Sequence, residues 1–310
     1  MISALSNNCA VHRITIKYMR GSLVEEFHTG ILQRLNEPAC SEIFYMRSCA
    51  KPLQASLLID YGIDLSDEEL AFCSGSHAGE ACHINVANNL LKKFGLEAYN
   101  LKCGVHYPLS KTMQDKMLLN NETATTLHNN CSGKHLGFLA ICKKIGWSLD
   151  NYYEKDHPLQ IAIKNKIYEL CEIDTNSQYP MTTDGCGVPI VSMPLYNLLL
   201  GYKNLAERYP KLINAIINNP YIYGGENRLD TEIMQNSNGL IAKVGAGGLC
   251  VVYNIALNDG FVVKIDDASM PARRVAVLEI INTLGWADIK LDKSITTLNG
   301  DCVGEIIVTF

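Results

Sequence analysis

No window of the sequence gathers the roughly 18 consecutive apolar residues that a membrane-crossing helix needs. Nor is there a block of lysine or arginine to neutralise a nucleic-acid backbone. Basic residues adjoin only as pairs, among them Lys92-Lys93, Lys143-Lys144 and Arg273-Arg274, and the net charge is −5. Neither a nucleic acid nor a membrane is therefore an expected partner. Met1 to Lys17 lacks the basic start and apolar run of a secretory signal, which points to the cytoplasm. Internal repeats, Pro- or Ser-rich linkers and low-complexity tracts are also missing.

What is present is an ordinary globular composition, 47% hydrophobic and 19% charged, over 310 residues. Such a chain can bury a substantial core. The 12 cysteines would mean disulfides in a secreted protein, but a chain of this size without a signal does not need them. Most, including Cys49, Cys142, Cys171 and Cys250, sit among apolar neighbours and read as small buried hydrophobes. Cys131 and Cys186 lie instead in polar, glycine-rich segments.

Strand patterns occupy both ends of the chain. Alternation predicts strands at Ile14–Tyr18, Leu23–Phe27 and Ile43–Met46, and later at 240–244, 248–256, 261–265 and 305–310. Asn258-Asp259-Gly260 is a hairpin signal between two of these. From Lys51 to about Ser237 the helical period dominates. The clearest helix is Glu80–Phe94, with Gly95 as its stop; others are expected near 51, 133–144, 158–171, 195–205, 227–236 and 272–284. The expected architecture is α+β in three layers: one antiparallel sheet, from about 1–46 and 240–310, covered by helices, with a helical lobe at about 50–238, all in a single catalytic domain over 1–310.

Two short elements carry possible chemistry. Ser48-Cys49-Ala50-Lys51 places a hydroxyl and an amine three residues apart, on one face of a helix start. Lysine can take a serine's proton if burial or a nearby cation lowers its pKa from about 10.4. Alone, the element equally describes an N-cap serine with a surface lysine. Lys243-Val244-Gly245-Ala246-Gly247, on a C-terminal strand, adds a K-x-G partner. S-x-x-K on an early helix with K-x-G on such a strand is the arrangement of serine β-lactamases and penicillin-binding proteins. The Ser48 N–H and one from about Gly245–Gly247 are then candidate oxyanion donors.

Ser76, before the clearest helix, is either a loop residue or a second serine that pairs with Lys243. Asn130-Cys131-Ser132-Gly133-Lys134-His135 and Asp184-Gly185-Cys186-Gly187-Val188-Pro189 are polar, glycine-rich segments that read as site loops or as plain connections. Neither has the ligand spacing of a common metal motif.

Together with Arg47-Ser48-Cys49-Ala50-Lys51-Pro52-Leu53-Gln54 and Ser76-His77-Ala78-Gly79-Glu80, these stretches resemble the rhizobial-type, or class 3, L-asparaginases of the asparaginase II family, in the family's order. The resemblance implies a serine β-lactamase/glutaminase-like fold, a homodimer, and hydrolysis of L-asparagine to L-aspartate and ammonia. It implies two Ser–Lys pairs, Ser48 with Lys51 and Ser76 with Lys243, and zinc at Cys131, Lys134 and Cys186. It places Arg47, His135 and Asp184 near the substrate, where arginine suits an α-carboxylate and aspartate an α-ammonium. Two departures stand out: Gly247 replaces a usual glutamate, and Tyr223 to Asp230 follows the family's G-x-x-R-x-D pattern only loosely.

The expected mechanism has Ser48, deprotonated by Lys51, attack the side-chain amide. The alternatives are a glutaminase, another serine hydrolase of the same fold, or a non-catalytic amino-acid- or metal-binding relative.

Overall fold

The structure, a computed structural model, describes residues 12–310; expectations placed on residues 1–11 lie outside it. The chain opens with the hairpin β1 (His12–Arg20) and β2 (Leu23–Arg34), then β3 (Ile43–Tyr45). A 3-10 turn at Arg47–Ala50 leads into α1 (Lys51–Asp60), α2 (Asp67–Ser74), α3 (Ala81–Phe94), α4 (Lys111–Leu119), α5 (Ser132–Ile145) and α6 (Pro158–Leu170). The short strands β4 (Met181–Thr183) and β5 (Pro189–Pro194) follow, then α7 (Leu195–Arg208), α8 (Pro210–Asn218), α9 (Pro220–Tyr223) and α10 (Leu229–Gln235). The last part holds β6 (Leu240–Gly245), β7 (Leu249–Asn254), β8 (Asp259–Ile265), α11 (Met270–Thr283), β9 (Ser294–Thr296) and β10 (Cys302–Thr309).

Strands from both ends form one seven-stranded sheet, in the order β6-β7-β8-β2-β1-β10-β9. Its strand pairs are antiparallel. The register explains the alternation at the N-terminal end: Ile14 and Ile16 are fully buried, with exposed or half-buried residues between them. β6 and β7 are buried at every position, so both faces of the sheet are covered there. α11 packs on β1, β7, β8 and β10, while α7 packs on β2, β7 and β8. This is the expected α+β layering.

Three details differ from the sequence reading. β3 leaves the main sheet and pairs with β5, which also pairs with β4, in a second, three-stranded sheet. The β7–β8 turn lies at residues 255–258, with Asn254 opposite Asp259, because Asn258 itself takes the left-handed conformation at φ 49°. The middle of the chain also holds the short strands β4 and β5 and the helices α2, α4, α8 and α9.

Helix starts follow local chemistry. Ser66 and Glu69 form a reciprocal capping box at α2. Prolines occupy the first turns of α1, α6, α8 and α11, where no intrahelical N–H is lost. Gly95 closes α3 in the left-handed conformation. At the end of α2, Gly75 lies so close to Tyr223 that an added Cβ would stand 2.1 Å from the Tyr223 carbonyl oxygen. That approach lets the Ser76 N–H donate to the same carbonyl at 3.0 Å, which fixes the next segment.

In that segment, His77 stacks between Phe72 and His83 with ring centroids 4.8 and 5.0 Å away. Its Nδ1 accepts the Gly79 N–H, and its Nε2 meets the Ser132 hydroxyl at 2.8 Å. The hydroxyl in turn donates to the Leu127 carbonyl, so a neutral ring satisfies every partner. Burial, reinforced by His83 and Lys51, holds this imidazole well below its usual 6.5.

The unfolded chain takes up the His77 proton as pH falls through about 6.5, and the folded chain does not until far lower. His77 thus contributes full stability above that pH and progressively less below it, at about 1.4 kcal/mol per pH unit. His83 and His128 are shifted the same way. Urea unfolding of the wild type between pH 6.5 and 5 should show falling stability, and His77→Gln should flatten the slope by about one proton. Equal slopes in the two proteins would contradict this assignment.

Candidate active site

The S-x-x-K element spans the junction between the 3-10 turn and α1. Ser48 lies in the turn and Lys51 opens the helix. The turn is pinned to β6 by Cys49, whose thiol donates to the Lys243 carbonyl at 3.2 Å. The Tyr202 hydroxyl holds the Cys49 carbonyl at 2.9 Å. Lys51 is therefore carried into the interior and is only 1% exposed. Its amine donates to Ser76 Oγ at 2.8 Å and to the Asn130 carbonyl at 2.9 Å.

The serine–lysine pairing thus differs from the one expected. Lys51 meets Ser76, while the half-buried Ser48 hydroxyl, on the preceding turn, makes no hydrogen bond among the described residues. Lys243 does not serve Ser76: its amine is 3.1 Å from Asp230 Oδ2 and 2.9 Å from the Val244 carbonyl. The physical reason is that Lys243 is fully buried beside an equally buried carboxylate, which claims the ammonium. The loose fit expected over Tyr223 to Asp230 is corrected: Gly225, Arg228 and Asp230 keep the G-x-x-R-x-D spacing, and Asp230, given no role in the sequence reading, is the partner of Lys243.

Burial lowers the Lys51 amine to about 8. The cations of Lys134 and Lys243 push the same way, and the sulfurs of Cys131 and Cys186 oppose them. A substantial share of Lys51 is consequently neutral near physiological pH and able to accept a proton.

Beside this amine lie the two site cysteines. Cys131 stands at the N-cap of α5 and Lys134 and His135 in its first turns; Cys186 comes from the loop between β4 and β5. Lys134 Nζ is 3.0 Å from Cys186 Sγ. The hydrogen bond from Cys186 and the amines of Lys51 and Lys134 pull Cys131 well below a normal thiol despite its burial. Cys186 is pushed the other way, raised by its hydrogen bond to Cys131 and by burial. Burial works against the Lys134 ammonium, but the sulfurs outweigh it and raise its pKa.

His135 is fully buried. Its Nδ1 meets the Tyr152 hydroxyl at 2.6 Å, and its Nε2 has no hydrogen-bond partner. Burial drops it to about 4, with Cys186 partly opposing the fall. The ring is therefore a neutral neighbour of the sulfurs.

Two soft sulfur donors and an amine are donor types that zinc accepts. Among the described residues, no group of three or more His, Cys, Asp or Glu could hold a metal ion. Any metal here therefore depends on Lys134 as a neutral donor.

At the mouth of the site, Arg47 Nε pairs with Asp184 Oδ1 at 2.8 Å. Arg47 takes φ +47°, an uncommon conformation for a residue with a side chain and one that clusters at functional sites. Gly245 ends β6, and its carbonyl accepts from Arg273 Nη1 at 2.8 Å. The Ser48 N–H is not used by the local backbone bonds of the 3-10 turn. A cleft of about 840 Å³, lined by α6 and β4 residues and Gly187, opens next to the Asp184–Gly187 loop. The structure thus brings Lys51, Ser76, Cys131, Lys134, His135 and Cys186 into one neighbourhood, with Ser48 on the turn that leads into Lys51 and the Arg47–Asp184 pair flanking Ser48 and Cys186 along the chain. No helix among the described residues is long and apolar enough to cross a membrane.

A buried amine poised on a serine, with a second and more accessible serine on the turn before it, is equipment for acyl transfer. Comparison with known proteins bears on which kind. No curated protein matches the chain. Among solved structures, a β-lactamase from Mycobacterium bovis superposes with a TM-score of 0.42 at 11% identity, over 90% of this chain and 97% of that one. A family model described as L-asparaginase II matches residues 16–306. That span encloses every residue of the site, and on it the chain belongs to the L-asparaginase II family, as an asparaginase-type amidohydrolase.

Proposed function

We propose that the protein hydrolyses the side-chain amide of L-asparagine to L-aspartate and ammonia, with Ser48 as nucleophile, Lys51 as base and Ser76 as proton relay. The observation that carries this reading is the Lys51 amine, buried, lowered to about 8 and 2.8 Å from Ser76 Oγ. Ser48 is the accessible serine and its hydroxyl is unengaged, whereas Ser76 is 1% exposed and committed to Lys51.

Ser48 Oγ attacks the amide carbon while its proton passes to Lys51. The oxyanion is held by backbone N–H groups, including that of Ser48. The C–N bond then breaks as Lys51 returns the proton through the Ser76 hydroxyl, and ammonia leaves. Water next attacks the β-aspartyl ester, giving its proton to Lys51, and Ser48 departs with a proton restored. Net, one amide and one water become one acid and one ammonia.

The Arg47–Asp184 pair supports an amino-acid substrate. A zwitterion carries the complementary charges and can take the place of the internal pair, its carboxylate on Arg47 and its ammonium on Asp184.

Ammonia release from L-asparagine and L-glutamine by the purified protein tests the reaction. Ser48→Ala should lose about 10³-fold or more in kcat. Ser76→Ala and Lys51→Arg should each lose about 10²–10⁴-fold. The arginine keeps the charge but cannot act as a base, so an active Lys51→Arg would refute the base assignment. Release from glutamine alone would replace the substrate.

The same proposal places zinc at Cys131, Lys134 and Cys186, with the amine of Lys134 deprotonated as the metal binds. Bound there, zinc would supply a fixed positive charge, while the serines remain the nucleophilic machinery. Metal analysis should find about one zinc per chain, the count for a single such site. Cobalt substitution should give thiolate charge-transfer absorption that Cys186→Ser diminishes. Full zinc retention in Lys134→Met would remove lysine from the ligand set.

A further inference from the structure

The strongest feature left unused by this mechanism is the Lys243–Asp230 pair. Both side chains are fully buried. Lys243 Nζ donates to Asp230 Oδ2 at 3.1 Å and to the Val244 carbonyl at 2.9 Å, and lies 5.4 Å from the Tyr223 ring centroid. The surroundings connect this pair to both serines. The Lys243 carbonyl accepts from Cys49, the neighbour of Ser48. The Tyr223 carbonyl accepts from the Ser76 N–H. Among the described residues the Asp230 oxygen Oδ1 is buried with no hydrogen-bond partner. An unpaired buried carboxylate oxygen is destabilising, and its persistence is more at home in a functional site than in scaffold.

We propose that Asp230 is a positioning residue that holds Lys243 as a fixed cation within the catalytic centre, so that Lys243 acts by its charge and not as a base for Ser76. This rests on the amidohydrolase reading above and reassigns its second lysine. Taking the proton from Lys243 would strand a buried carboxylate without its counter-charge, so the pair opposes the deprotonation that a base requires. A fixed charge in a site closed to water acts strongly on the negative charge that develops during attack, without reorganisation. Burial works against the Asp230 carboxylate, but Lys243 and Arg228 outweigh it and hold the pKa below the usual range. Arg273 is tied to the Gly245 and Leu249 carbonyls.

The test compares Asp230→Asn, Asp230→Glu and the apolar double variant Asp230→Leu with Lys243→Met. The double variant replaces a buried pair by groups of similar volume, so it should stay folded. Its Tm should lie near the wild-type value while kcat drops by about 10²-fold or more, the scale of one lost electrostatic contact. KM should change little. Asp230→Asn should lose kcat similarly, and Asp230→Glu should recover part of it.

A purely structural pair predicts wild-type kcat in the folded double variant, and that result would overturn the proposal. So would an active Asp230→Asn, because a base released from its carboxylate should work at least as well. Nitrogen-15 spectra of the lysine side chains at pH 8, with Lys243→Met for assignment, read the charge without any substrate. An ammonium at Lys243 is expected; a neutral amine would overturn the proposal. Absence of amide hydrolysis in the wild type would defeat the functional reading, while the spectra would still decide the state of Lys243.

Discussion

Burying the amine of Lys51 against the Ser76 hydroxyl is the constraint to which the rest of the site answers. An amine in water stays protonated at neutral pH; one enclosed by protein does not pay for its charge as easily and becomes a base. The enclosure comes from ordinary packing. The 3-10 turn before α1 is pressed onto β6 through Cys49, and the loop after α2 is drawn in by the contact of Gly75 with Tyr223. A sheet assembled from both ends of the chain is needed for this, because β6 is its outer strand and the turn precedes it by nearly 200 residues of sequence.

Three lysines, Lys51, Lys134 and Lys243, are each nearly or fully buried, which is tolerable only if their charges are separately answered. Asp230 answers Lys243, and the Cys131–Cys186 pair answers Lys134. Among the described residues Lys51 has no carboxylate partner; it meets the Ser76 hydroxyl and the Asn130 carbonyl, with the Cys131 sulfur beside it. Lys134 and Lys243 each hold an acidic partner at hydrogen-bond distance, whereas burial and the cations of Lys134 and Lys243 outweigh the nearby sulfurs at Lys51 and leave its amine lowered to about 8.

The strands at the two ends and the long helices were legible because their periods are regular and their caps conventional, as with Ile14 and Ile16 in β1 or Gly95 after α3. β3 was legible as a strand but not in its partner, since pairing with β5 depends on a contact about 150 residues away. The helix α2 carried a readable capping box at Ser66 and Glu69 that went unused. In the site, the residue set could be read but the pairing could not. Spacing of i to i+3 places Ser48 and Lys51 on one helical face, yet the amine extends past Ser48 to Ser76, a choice made by tertiary packing. The role of Asp230 was unread for a different reason: a buried carboxylate in a short helix looks like any exposed one until its lysine is found.

The proposed hydrolysis turns on an ester formed at Ser48 and resolved with the help of Lys51. The most direct measurement is rapid acid quenching of the enzyme during turnover of L-asparagine, followed by proteolysis and mass spectrometry. A β-aspartyl adduct on the peptide containing Ser48, mapped to that residue, is the predicted result. An adduct on Ser76, or turnover with no acyl-enzyme on either serine when hydrolysis of the ester is slowed, would contradict it.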